Sequence, residues 1–318
     1  MTLFSLALDV AHVGLTVAVA PLLTGWVRWV KARLTLRRGP SPFQPYRDLR
    51  RLLRKDIVLA DSVSWVFIAT PFVLFAIMAL AACLVPTFTP SLALAPTSDL
   101  ITLVALLGLA RFMLALAGMD AGTSFGGLGS SREMLIATLA EPAMLMVVFS
   151  VALMAHTTAL PNVALFVLAH PPVFHISLVL ALSALVLVAL AENARIPIDN
   201  PTTHLELTMV HEAMILEYTG PHLALIEAAA MIKLTLYVAL IACLFAPWGM
   251  ATDLSDARVV ALGIGTYLGK LAVAGTALAV FETGIAKMRV FRYPEFLGTA
   301  LLMGLLAIVF LYVNQVVS

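Results

Sequence analysis

The stretch Val63–Val85, VSWVFIATPFVLFAIMALAACLV, decides the fold. It carries no charged side chain and no strict polar–apolar alternation. A helix needs about 20 mostly apolar residues to cross the hydrocarbon layer of a bilayer, and this run is long enough. Only a helix or a closed barrel satisfies every backbone N–H and C=O in lipid. A barrel would show shorter alternating segments of about 10 residues, so the helix is the reading. Working outward, comparable runs fall at 3–27, 99–118, 133–155, 174–192, 222–246, 258–282 and 296–315. The chain of 318 residues is 62% hydrophobic and 12% charged, far more apolar than water-soluble proteins of this length. The expectation is an all-α polytopic membrane protein with about eight transmembrane helices, forming one membrane domain over 1–318.

Charge distribution orients it. Ten of the 19 Lys and Arg lie between Arg28 and Lys55, while the connections 86–98, 156–173 and 247–257 hold none. The positive-inside rule then puts loops 1–2, 3–4, 5–6 and 7–8 in the cytoplasm, with both termini facing outward. Two segments on the basic side are more than connectors. Residues 44–57 follow a proline-rich turn and place Tyr46, Leu49, Leu52 and Leu53 on one face among Arg47, Arg50, Arg51 and Arg54. That pattern predicts a short amphipathic helix on the membrane surface, suited to anionic lipid or to docking a soluble partner. Residues 192–221 form a long loop with a helix expected over 202–218 after Pro201.

Ionisable residues at membrane depth are costly and face a bundle interior or a wet cavity. The candidates are Asp120, Glu141, Glu192, Glu227 and Glu282 with Arg111, Lys233 and Lys270. Glu227 and Lys233 are six residues apart and point to opposite sides of one helix, so each needs a partner on another helix. Two readings stay open: a proton- or charge-coupling chain, and ion pairs that fix helix packing. Asp9 and His12, near the outer end of the first span, read as solvated.

Several chemistries are excluded. Cys83 and Cys243 stand alone, with no Cys-x-x-Cys for an iron–sulfur, zinc or nickel site. His204 and His211 share a helical face but lie about 10 Å apart along the axis, too far for one ion. Ser124–Ser130, SFGGLGS, lacks the Walker lysine and reads as a flexible loop. No metal site is expected in this chain, and no nucleic-acid partner.

The sequence resembles the membrane subunit shared by respiratory complex I (its subunit 1, or H) and membrane-bound nickel–iron hydrogenases, in the formate hydrogenlyase and hydrogenase-4 branch. The resemblance is carried by Arg37-Arg38-Gly39-Pro40 with Tyr46-Arg47-Asp48. It continues through Ala110-Arg111-Phe112, Gly118-Met119-Asp120, Ser131-Arg132-Glu133 and Glu141-Pro142. Further on come Glu192 to Arg195 with Pro197 and Asp199, then Glu206-Leu207, Glu217-Tyr218-Thr219-Gly220, Glu227 and Phe281-Glu282. It implies a non-catalytic subunit of an oxidoreductase complex. Glu141, Glu192, Glu227, Lys233, Asp120, Glu282, Arg111 and Lys270 would carry protons or charge. Arg195, Asp199, Glu206, Glu217 and Tyr218 would lie in a coupling loop that lines the quinone cavity in complex I. Arg37, Arg38, Tyr46, Arg47 and Asp48 would dock the soluble arm. The implied partners are hydrogenase large and small subunits, iron–sulfur subunits and antiporter-like membrane subunits, with nickel–iron and iron–sulfur centres held in those other chains. In complex I the loop after the aspartate is richer in acids than Pro201–Leu207 here, which disfavours a quinone. A quinone-reducing complex and a stand-alone ion transporter are the alternatives.

Overall fold

A computed structural model describes residues 3–92, 94–169, 176–195, 210–252, 254, 256–285 and 292–317. The described residues form helices joined by turns and connections, without strands. In chain order the helices are α1 (Leu3–Leu34), α2 (Gln44–Leu52), α3 (Trp65–Leu84), α4 (Leu100–Asp120), α5 (Ser124–Ala155), α6 (Leu160–Ala169), α7 (Ile176–Glu192), α8 (His211–Ile215), α9 (Gly220–Phe245), α10 (Ala257–Gly284) and α11 (Tyr293–Val317). Seven of these are long and apolar enough to cross a membrane, and α6 and α7 are shorter apolar helices. The all-α polytopic reading therefore holds.

Local chemistry sets the helix starts. Ser64 caps α3 by accepting the Val66 N–H at 3.2 Å, Thr123 caps α5 through Gly126 at 3.2 Å, and Asp256 caps α10 through Arg258 at 2.9 Å. Packing then fixes the bundle: α3 lies against α4 and α9, α4 against α5, α1 against α10, and α11 against α5 and α7. The apolar centre joins Leu23 and Val27 of α1, Phe67 and Met78 of α3, Leu103 of α4, Val147 of α5 and Ile232 of α9. Polar ties join helices where lipid offers no alternative partner. The Trp26 indole N–H, for example, reaches the Ala272 carbonyl at 3.2 Å and the Thr276 hydroxyl at 3.1 Å.

The structure departs from the sequence expectations at several places. SFGGLGS is not a loop but the first turns of α5. Its glycines let α5 press against neighbours: a Cβ on Gly129 would stand 2.9 Å from the Val210 carbonyl, and one on Gly126 would run into that of Gly118. The amphipathic helix ends at Leu52 rather than 57, in a turn. The first span continues to Leu34, and the 156–173 connection contains α6. Of the helix expected over 202–218, the described part is α8, ending at Ile215, while 202–209 lies outside the described residues. Asp9 and His12 are buried, not solvated. The connection after α3 folds over them, with the Leu94 N–H bonding Asp9 at 3.2 Å and the Phe88 ring edge-on to His12 at 5.7 Å.

Candidate functional site

Arg111 sits in the middle of α4 with its side chain 3% exposed. Carboxylates from two other helices converge on it. Its Nε is 3.5 Å from Glu133 of α5, its Nη1 is 3.5 Å from Glu141 one face round on α5, and its Nη2 meets Glu192 at the end of α7. On the far side, Lys233 of α9 reaches the second oxygen of Glu192 at 2.9 Å. Glu192 thus bridges a guanidinium and an ammonium. Glu227, six residues before Lys233, faces away from this pair, as helix geometry requires. The cluster contains the cations Arg111 and Lys233 and the carboxylates Glu133, Glu141 and Glu192, so with every group ionised it carries one surplus negative charge.

A cavity of about 90 Å³ opens beside the cluster, lined by Arg111, Glu133, Glu192, Lys233, Asn193 and His211 together with apolar residues of α3, α4 and α9. At about 30 Å³ per molecule it accommodates a few waters. Arg111 also borders a second, lateral groove between α4 and α5, where Glu141 stands beside Ile101, Gly108 and Phe112. There the Glu141 side chain is 47% exposed, although it lies in the body of a membrane-length helix. Arg111 therefore lies between an interior cavity and the flank of the bundle.

A second ion group lies at the basic end. Glu282, near the end of α10, accepts from Lys31 of α1 at 3.2 Å and lies 3.6 Å from Arg195, just past α7. Arg28 acts electrostatically on both Arg195 and Glu227. Glu227 also feels Glu212 of α8 and Asp48 and Arg51 of α2. Burial pulls the Arg195 guanidinium below its ordinary value, and the Glu282 carboxylate opposes this.

The other sequence-predicted residues fall as follows. Asp120 accepts the Ser64 N–H at 2.9 Å, closing the start of α3 against the end of α4. Tyr218 is buried, stacked on Phe67 with centroids 3.9 Å apart, and donates to the Phe67 carbonyl at 2.9 Å. Burial holds its phenol above the ordinary value. Glu217 is exposed beside it. Thr219 then clamps Val58, accepting its N–H at 2.9 Å and donating to its carbonyl at 3.1 Å. Lys270 of α10 is half-buried near Cys243, away from the Arg111 cluster. Arg37, Arg38 and Arg47 are exposed. Asp48 pairs with Arg51 at 3.5 Å. The Tyr46 hydroxyl donates to the Ala18 carbonyl and meets the Leu22 backbone, entering the ladder of α1 around Pro21. Asp199 and Glu206 lie outside the described residues.

Sequence reasoning did not single out Glu133, Asn193, His211 or Glu212 as site residues. Glu133 was the most accessible of these, since it lies eight residues before Glu141, about two turns away and roughly 80° round α5. Among the described residues no three His, Cys, Asp or Glu side chains are placed to hold a metal ion.

A bundle of membrane-length helices enclosing a buried ion cluster defines a polytopic membrane protein with charge held inside its core. The chain belongs to the NADH dehydrogenase family, which it matches over residues 7–313. It is 35% identical to formate hydrogenlyase subunit 4 of Escherichia coli (strain K12) over 279 residues, covering 87% of this chain and 89% of that protein. It is 34% identical to hydrogenase-4 component C of the same organism over 289 residues, covering 91% and 89%. Its fold is also that of a chain in the membrane-bound sulfane sulfur reductase, an archaeal respiratory membrane complex, with a TM-score of 0.83 at 18% identity, covering 96% of this chain and 99% of that one.

Proposed function

We propose that this chain is the membrane-anchoring and proton- or charge-coupling subunit of a complex I-like membrane-bound nickel–iron hydrogenase. It links a soluble redox arm to antiporter-like membrane subunits in a bacterial or archaeal inner membrane, with both termini outward. The observation that carries the coupling role is the Arg111 cluster. Held at membrane depth, with Glu141 47% exposed on the flank and the other four groups at most 16% exposed, its surplus negative charge is expensive, and one added proton makes the group neutral. Redox events in the soluble arm shift the segment after Glu192, alter the Glu192–Lys233 pair and change where that proton resides. Glu141, half-exposed at membrane depth, hands it laterally to a neighbouring membrane subunit, because a carboxylate facing lipid is costly. The exposed Arg37, Arg38 and Arg47 receive the soluble arm, while Tyr46 ties that surface into α1.

The chain performs no bond chemistry. Nickel–iron and iron–sulfur centres belong to the hydrogenase large and small subunits and the iron–sulfur subunits. The similarity to formate hydrogenlyase and hydrogenase-4 subunits supports this branch over a quinone-reducing one. Membranes carrying Glu141→Gln or Glu227→Gln should assemble the complex and retain electron transfer but lose ion translocation. Unchanged translocation removes that residue from the path. Purification of the chain alone with transport activity in liposomes would support a stand-alone transporter instead.

A further inference from the structure

The end of the bundle remote from Arg28–Lys55 contains a second polar group that the coupling cluster does not use. Asp9, His12 and Thr16 follow one another at helical spacing on one face of α1, and all are buried, His12 to 1% exposure and Thr16 to 0%. The Thr16 hydroxyl is committed to the His12 carbonyl at 3.0 Å. Tyr267 of α10 brings its hydroxyl beside Thr16. One turn earlier, Gly263 lies so close to the connection after α3 that a Cβ would stand 2.8 Å from the Phe88 carbonyl. Phe88 in turn packs edge-on against His12, and Thr87 precedes it. Elements from three parts of the chain therefore meet around one point.

What marks this point is missing partners. Both ring nitrogens of His12, the Thr87 hydroxyl and the Tyr267 hydroxyl are fully buried and fall outside good hydrogen-bond geometry with the protein, the Val85 backbone lying near His12 and the Thr16 hydroxyl near Tyr267. Buried polar atoms are nearly always bonded, to protein or to internal water, and a clustered set of donors and acceptors is what a water needs. An apolar solution was available in such a sequence, since helix faces elsewhere in the bundle are filled by Leu, Val and Ala.

We propose that His12, Thr16, Thr87 and Tyr267 form an internal water site, and that His12 is its proton-carrying member, flanked by Asp9. Water and the hydrated proton are the ligands. The imidazole can accept a proton at one nitrogen and release one from the other, which a hydroxyl-lined site alone cannot do near neutral pH. Asp9, whose charge acts on Cys83 and whose Oδ2 accepts from Leu94, lies a turn closer to the end of the bundle. The hydration part stands independently of the coupling reading; the proton-carrying part rests on it.

Radiolytic hydroxyl-radical footprinting of the complex in native membranes tests the hydration part, because radicals formed from internal water mark adjacent side chains. Tyr267 at 2% and Tyr218 at 3% exposure are matched in burial, but the Tyr218 hydroxyl is bonded to protein. Tyr267 should be marked several-fold faster than Tyr218, and His12→Leu should bring its rate down to that of Tyr218. Equal rates in the unaltered chain overturn the site, with no variant required to fold. With hydration intact in His12→Gln, ion translocation should fall several-fold; unchanged translocation overturns the proton-carrying role and leaves the coupling reading untouched.

Discussion

Replacing Arg111 with methionine probes the coupling cluster where its energetics are most exposed. Methionine keeps the length and the apolar contacts of the stem but removes the charge. Glu192, 3% exposed, is left with Lys233 alone, and Glu133, 13% exposed, loses the cation it faces. Removing one partner of a buried pair costs about 3–5 kcal/mol, since the remaining charge stays desolvated. Glu141, 3.5 Å from Arg111 and 47% exposed at membrane depth, also loses its cation. At roughly 2–4 °C per kcal/mol, the midpoint should fall by on the order of 10 °C. Thermal unfolding followed by circular dichroism, with the complex in lipid nanodiscs, measures it. The sharper arm is the double variant. Glu192→Gln removes the stranded charge, so in the Arg111→Met background it should recover about 1.5–3 kcal/mol of coupling rather than add a loss. An Arg111→Met midpoint equal to that of the unaltered chain, or strictly additive losses, refutes the cluster as an electrostatic unit.

Other consequences follow from single contacts. Gly220→Ala should destabilise by about 1–3 kcal/mol, because φ is +55° and a Cβ would lie 2.7 Å from the Asp56 carbonyl; nanodisc unfolding checks it. Tyr46→Phe removes the hydroxyl that meets Ala18 in α1 and should weaken retention of the soluble arm during purification without preventing insertion. Lys31→Met breaks a contact whose lysine is 37% exposed. Because Glu282 is 4% exposed and keeps only Arg195 at 3.6 Å, the loss should be measurable but smaller than that of Arg111→Met, and the part carried by the exposed lysine should shrink as salt rises. For Tyr218 the raised phenol value sets the sign: the folded state holds the proton more tightly. The stability gained is fully present below about pH 10 and declines as pH rises above it. Tyr218→Phe should flatten that alkaline decline in a pH series of unfolding midpoints.

Runs such as Val63–Val85 announce membrane depth, but not which way a helix is turned. In a water-soluble protein an apolar stripe reveals the buried face. In lipid both faces are apolar, so the rotation of α4 and α5 that aims Glu133 at Arg111 leaves no periodic trace. The opposition of Glu227 and Lys233 was legible because it depends on spacing within one helix. The partner of Lys233 was not, because it lies on α7. SFGGLGS misled for a related reason. Glycine lowers helix propensity, yet here it serves close approach to Gly118 and Val210, a tertiary demand that outweighs local preference. Asp9 and His12 sit near a span end, where exposure is the natural expectation, and they are buried because Phe88 and Leu94, from the connection after α3, lie against them.

The central claim is that the group formed by Arg111, Glu133, Glu141, Glu192 and Lys233 takes up and releases a proton as the attached redox centres change state. Infrared difference spectroscopy of the intact complex, between its oxidised and reduced forms, reads this directly through the stretch of a protonated carboxyl. The account predicts a carboxyl band that changes with redox state, shifts in deuterated water, and disappears in Glu192→Gln while electron transfer between the centres persists. A carboxyl region silent to redox state, or a band unaltered by Glu133→Gln, Glu141→Gln and Glu192→Gln alike, would contradict it.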